Sequence, residues 1–174
     1  MRALLVMLLA LALGGCGCSD DPGVDPLTDR ELEAIPALSP TQLQDLLDAQ
    51  KGKLVVLAVW SVRREASVAA YRRLGELRGE PEPVVLAIDI DRVSDVREKV
   101  LPILRETKPQ FENRVLSVGP EALATFIDRN TWAGQLPAFA LYGRDGKKLA
   151  AFHGPDALDR ARAELGKLLK ARRR

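Results

Sequence analysis

Cysteine is nearly absent from this chain of 174 residues: Cys16 and Cys18 are the only two, and no thiol follows them. A body without sulfur pairs has no disulfide framework, no four-cysteine zinc site and no thiol nucleophile of its own. Histidine is scarcer still, with His153 alone. One imidazole gives no His-rich metal cluster, and no Ser-His-Asp set is visible. Aromatic residues make up 5% of the chain, too few for a surface that stacks bases. Charge of one sign is also missing, since 26 basic residues face 24 acidic ones. A dedicated nucleic-acid binder would carry a clear basic excess. No glycine-rich loop of the phosphate-cradling kind occurs in the body. No cofactor is expected.

An apolar run long enough to span a bilayer, ~20 residues, is lacking as well. The N-terminus instead places one base, Arg2, before a short apolar run from Ala3 to Leu13. That arrangement fits the central region of a secretory signal peptide. Leu13-Gly14-Gly15-Cys16 then resembles a bacterial lipobox, in which the cysteine is lipidated and becomes the new N-terminus. Residues 1–15 are thus read as a signal peptide. Cys16 is read as a lipid attachment site on a bacterial cell envelope, facing the periplasm or the outside. Cleavage there removes Arg2 and no acid, leaving 25 basic against 24 acidic residues. Residues 16–38, rich in Asp, Glu and Pro, read as a flexible tether. The basic tail Lys167, Lys170, Arg172, Arg173 and Arg174 lies at the end of a predicted helix, where positive charge meets the negative dipole end.

The folded domain is expected over residues 39–174. Ser39-Pro40-Thr41-Gln42 is a helix start, with a serine cap, proline in the first turn and glutamine three residues on. Leu54-Val55-Val56-Leu57-Ala58-Val59 and Val84-Val85-Leu86-Ala87-Ile88 are continuous apolar runs, the mark of parallel strands covered on both faces. Between them a helix is predicted from about Val62 to Arg78. Another helix begins near Ser94, with Pro102 expected to kink or interrupt it. Phe111 to Val118 holds a short strand and Pro120 to Asp128 a short helix. Ala138 to Tyr142, turning at Gly143-Arg144-Asp145-Gly146 into Lys148 to His153, reads as a hairpin. An amphipathic helix carrying Leu158, Ala161, Leu165 and Leu168 ends the domain.

Two separated motifs give the order β-α-β-α-hairpin-α a family likeness. The first strand ends in Trp60 and runs into Ser61-Val62-Arg63-Arg64. The second motif, Trp132-Ala133-Gly134-Gln135-Leu136-Pro137 followed by a strand and Arg144-Asp145-Gly146-Lys147, resembles a segment of secreted redoxin-type proteins related to TlpA thiol-disulfide oxidoreductases. The resemblance covers about residues 39 to 170. It implies a thioredoxin-like three-layer α/β/α sandwich with a central mixed sheet. It also implies a cis Leu136–Pro137 bond facing the redox motif. In that family Trp-Cys-x-x-Cys stands where this chain has Trp60, Ser61 and Arg64. A serine forms no disulfide and an arginine supplies no sulfur, so both reactants of thiol exchange are gone.

What remains is expected to bind. By the resemblance, the loop Gln135-Leu136-Pro137 pairs with the backbone of a bound peptide. A groove between Trp60, Ser61, Gln135, Leu136 and Pro137 is therefore the candidate site for an envelope protein or peptide. Ser61 is also expected to cap the helix after it, and its turn with Arg63 and Arg64 is a candidate site for a small anion or peptide carboxylate. The competing expectation is a thiol-disulfide oxidoreductase that borrows Cys18 or a partner's cysteine. Asp89 and Asp91 alternate at a strand end, where they either aim at a metal or cap the next turn. His153 reads as a surface or core residue.

Overall fold

The structure, a computed structural model, describes residues 35–77, 83–116 and 119–171. The expected signal peptide, Cys16, Cys18, nearly all of the tether and the last three arginines lie outside those residues.

Ser39 starts the first helix, α1 (Pro40–Asp48), as its sequence dictates. Its hydroxyl accepts from Gln42 N–H while the Gln42 side chain accepts from Ser39 N–H. This reciprocal pair satisfies two donors that a helix start leaves open. Leu43 and Leu47 fall one turn apart and are buried. Gly52, at φ 95°, makes the turn that leads into β1 (Val55–Trp60). All six β1 residues are buried, as expected of a strand covered on both faces.

The remaining elements follow the predicted order. They are α2 (Glu65–Arg72), a 3₁₀ turn (Leu74–Leu77), β2 (Val84–Asp89), α3 (Val93–Asp95), a π-helical stretch (Val96–Val100) and α4 (Leu101–Thr107). Then come β3 (Glu112–Val115), α5 (Pro120–Leu123), β4 (Ala138–Tyr142), β5 (Lys148–His153) and α6 (Ala157–Ala171). The sheet order is β3-β2-β1-β4-β5. β1, β2 and β3 are parallel, whereas β4 is antiparallel to both β1 and β5. The expected three-layer sandwich with a mixed sheet is what the chain forms.

Alternation along β1 sends residues 54, 56, 58 and 60 to one face and 55, 57 and 59 to the other. The first face packs against α2, α4 and α6, the second against α1 and the segment 123–132. Trp60 is 2% exposed and stacks on Tyr71 of α2, with ring centroids 3.9 Å apart and planes 22° from parallel. Tyr71 meets Phe111 edge-on at 5.8 Å. These rings fix α2 over the end of β1.

Two local expectations need correction. The helix after Trp60 starts at Glu65, three residues later than predicted, because Ser61–Arg64 forms a turn of its own. It ends at Arg72, where the chain tightens into the 3₁₀ turn. At Pro102 the helix is interrupted, as expected: the π-helical stretch directly precedes it, and Leu101 N–H reaches back five residues to Val96 C=O. Residues 36–38, counted with the tether, are docked on the sheet. Ala37 bridges Val115 in parallel, Leu38 N–H donates to Val115 C=O at 2.7 Å and Val115 N–H to Pro36 C=O at 3.3 Å.

Burial of Trp60 sets a testable cost. Trp60→Ala should lower unfolding stability by about 3–5 kcal/mol, the range for truncating a buried large aromatic. A urea midpoint unchanged within error would mean the indole is not packed as described.

Candidate functional site

The site lies at the carboxyl ends of the parallel strands. Trp60 of β1 is in register with Asp89 of β2, which is in register with Val115 of β3. The antiparallel register of β1 and β4 pairs Val59 with Ala138. Trp60 and Ser61 follow that last pair on one strand, and Leu136 and Pro137 precede it on the other. The two sequence motifs, 75 residues apart, thus meet at one sheet end, as the resemblance implied.

Ser61 is buried and fully engaged. Its N–H donates to the Ser67 hydroxyl at 3.0 Å, and its own hydroxyl donates to Asp91 Oδ1 at 2.6 Å while accepting from Arg63 N–H at 3.1 Å. Asp91 Oδ2 accepts from Val62 N–H at 2.6 Å, and Arg63 Nε lies 3.4 Å from Oδ1. Arg63 also pairs with Asp95, which Lys99 holds from the other side at 2.9 Å. Arg63 first, then Lys99, draws the Asp95 carboxyl down to about 2.

This geometry corrects two expectations. Ser61 does not cap α2; that position belongs to Arg64, whose side chain makes no capping bond. Nor is the Ser61 turn an open anion site. The amide and hydroxyl donors that would receive an external carboxylate already hold the carboxylate of Asp91. Arg64 points outward and is exposed.

Asp89 lies beneath this cluster, 1% exposed, with Oδ2 lacking any hydrogen-bond partner among the described residues. Its Oδ1 is 3.4 Å from Asp91 N. Burial, followed by the adjacent Asp91, raises its pKa to about 9. Asp89 is therefore held as the neutral acid, which suits an interior with no cation to offset a second charge. Among the described residues no three Asp, Glu, His or Cys side chains are grouped to hold a metal. Asp91 instead holds the Ser61–Arg63 turn after β1, not the turn that follows its own strand.

The other wall is the cis-proline loop. Leu136–Pro137 is cis. Trp132, 5% exposed, donates its indole N–H to Gln135 C=O at 2.7 Å, and the Gln135 side chain accepts from Ala133 N–H at 2.9 Å. Pro137 C=O accepts from Gly154 N–H at 3.0 Å. Leu136 is half-buried, and neither its N–H nor its C=O bonds another described residue. Of the proposed groove residues, Ser61, Gln135, Leu136 and Pro137 come together at this end, but the Trp60 ring faces the core and leaves the groove without it. His153 pairs with Ala138 across β4–β5 and joins no polar cluster. A cleft of about 430 Å³ runs beside the loop, bordered by Glu121, Arg129, Trp132 and Gly134.

Sequence reading missed what Asp91 does. The signal was present, an Asp-x-Asp at the end of a strand predicted to be parallel to β1. A partner 30 residues away cannot be chosen without the register.

The buried neutral acid predicts a pH dependence. Unfolded, Asp89 titrates near 4; folded, near 9. The unfolded chain therefore releases a proton over that window, and this residue's contribution falls as pH rises through it. Asp89→Asn should stabilise the domain, with a gain that grows from pH 5 to pH 8. Denaturant midpoints that shift equally at both values would contradict the assignment.

No protein-family profile and no curated protein sequence matches the chain. Solved structures do. A secreted Mycobacterium tuberculosis disulfide oxidoreductase homologous to E. coli DsbE superposes with TM-score 0.52 at 17% identity, over 69% of this chain and 85% of that one. A DsbF homologue from Corynebacterium diphtheriae gives 0.53 at 13%, over 70% and 74%. The thioredoxin domain of a Bacteroides vulgatus thiol-disulfide oxidoreductase gives 0.50 at 18%, over 68% and 84%. At such identities the likeness establishes the architecture: the chain has the thioredoxin-like fold of these oxidoreductases.

Proposed function

We propose that this protein is a redox-silent thioredoxin-fold module of the bacterial cell envelope that holds an extended segment of another polypeptide against its cis-proline loop. Lipid at Cys16 would keep it on the membrane. The observation that carries the reading is the pairing of a closed redox position with an open backbone. Ser61 and Asp91 satisfy each other where a nucleophile would need to be free. Leu136, at the same end of the sheet, leaves both its backbone groups unpaired by the described residues. An extended peptide can satisfy that donor and acceptor together, as in strand addition. No sulfur enters this interaction.

A second reading has specific support, since the solved structures of this fold named above are disulfide oxidoreductases. In that case Cys18 or a partner's cysteine would supply the thiolate. The two readings part in one assay. The full chain should not accelerate insulin reduction by dithiothreitol. Acceleration that Cys18→Ser abolishes would establish the oxidoreductase and overturn the binding module.

Restoring the motif gives a sharper check on the closed site. In Ser61→Cys, Arg64→Cys, the new thiol at 61 would face Asp91 at hydrogen-bond distance, and a nearby carboxylate opposes thiolate formation. Its pKa should lie above the ordinary ~8.5 of a free thiol, and adding Asp91→Asn should lower it. Alkylation rate against pH reads this directly. A thiol at 61 that reacts rapidly at pH 6 with Asp91 present would refute the description.

Binding itself is checked with an uncharged, end-blocked Thr-Val repeat peptide. Saturable shifts of the Leu136 amide proton are the expected result in the full chain. Their absence at millimolar peptide would sink the groove.

A further inference from the structure

The charges around the open backbone specify what kind of segment fits it. The basic residues on and around the Ser61 turn fall into two classes. Arg63 is tied to Asp91 and Asp95, and Lys99 to Asp95. Arg64 and Arg92 are different. Arg64 is the residue preceding α2, at the outer corner of the Ser61 turn. Arg92 follows Asp91, whose carboxylate grips that turn. Both are exposed, and neither side chain has a hydrogen bond or ion pair with any described residue. Several other surface arginines are met by carboxylates. Arg72 pairs with Glu106, Arg73 with Glu76 and Asp159, and Arg162 with Glu76. The acids that face Arg64 and Arg92 are few. Asp91 and Asp95 are already taken by Arg63, Asp89 is neutral, and Glu65 alone is exposed beside Arg64.

From this arrangement we infer that the segment held at Leu136 is acidic, an extended stretch of a partner polypeptide with Asp or Glu side chains that reach Arg64 and Arg92. The inference rests on the binding reading above and adds the partner's chemistry. Strand-like pairing at Leu136 sets the direction of the peptide backbone. Alternate side chains of a strand lean to one side, about two residues apart, so that two carboxylates on one edge can meet two arginines. Planar guanidinium groups favour carboxylates through paired hydrogen bonds. Exposed pairs of this kind contribute modestly and lose strength in salt. They therefore act as a selector laid over the backbone pairing.

The test compares three end-blocked peptides of one length on the full chain: the Thr-Val repeat, the same repeat with each Thr replaced by Glu, and the version with Lys. Leu136 amide shifts report occupancy, and their titration gives affinity. The Glu peptide should bind at least tenfold more tightly than the neutral one at low ionic strength. Arg64→Gln combined with Arg92→Gln should erase that advantage while leaving the Leu136 shifts with the neutral peptide in place. Equal affinity for the Glu and neutral peptides, or tighter binding of the Lys peptide, would overturn the acidic preference and leave the groove standing. Failure of all three to move Leu136 would remove the groove, and the partner chemistry with it. Both substituted arginines are exposed, so loss of folding does not confound the comparison. Unchanged selectivity in the double variant would equally refute their role.

Discussion

One carboxylate organises this molecule's working end. Asp91 follows the second parallel strand, crosses to the first, and takes up the hydroxyl of Ser61, the amide of Val62 and the guanidinium of Arg63. Three donors converge on two oxygens. Without that side chain the turn between β1 and α2 would have an amide and a hydroxyl to satisfy and nothing to fix its shape. With it, the start of α2 is set, Arg63 is directed towards Asp95, and Arg64 is left at the outer corner. A thioredoxin-type reaction centre needs donors there that can stabilise a thiolate. Here the protein has supplied its own anion, and the position is chemically satisfied before any substrate arrives.

The rest of the site is built from the opposite condition. Across the sheet, the cis-proline loop is braced from within by Trp132 and Gln135, and Pro137 is held by Gly154. Leu136 between them has a donor and an acceptor that no described residue takes up. One wall is thus closed and the other open. That contrast is the geometric basis of the binding function proposed above.

Much of the architecture was legible in the sequence, for identifiable reasons. Apolar runs at 54–59 and 84–88 can hardly be anything but covered parallel strands. The Ser39-Pro40-Thr41-Gln42 cap carries its own hydrogen-bond pattern, and the Asp145-Gly146 turn flanked by short apolar runs makes a hairpin. The missing sulfurs needed no structure to notice. Other features were hidden because they depend on contacts between distant residues. Trp60 reads equally well as a groove wall or a core ring, and only the stack on Tyr71 decides. Ser61 next to a helix looks like a cap, yet a carboxylate 30 residues on recruits it first. The delayed start of α2 follows from that competition. The neutral state of Asp89 could not be seen either, since a strand-end aspartate acquires it only from the packing above it.

The short bridge between Ala37 and Val115 has a mechanical consequence. Any pull on the chain from its leading end reaches the domain at the rim of the sheet, through the hydrogen bonds of Leu38 and Val115. Load applied there meets those bonds before it can reach the central strands. Residues 36–38 are thus the seam at which the preceding chain is joined to the sheet rim.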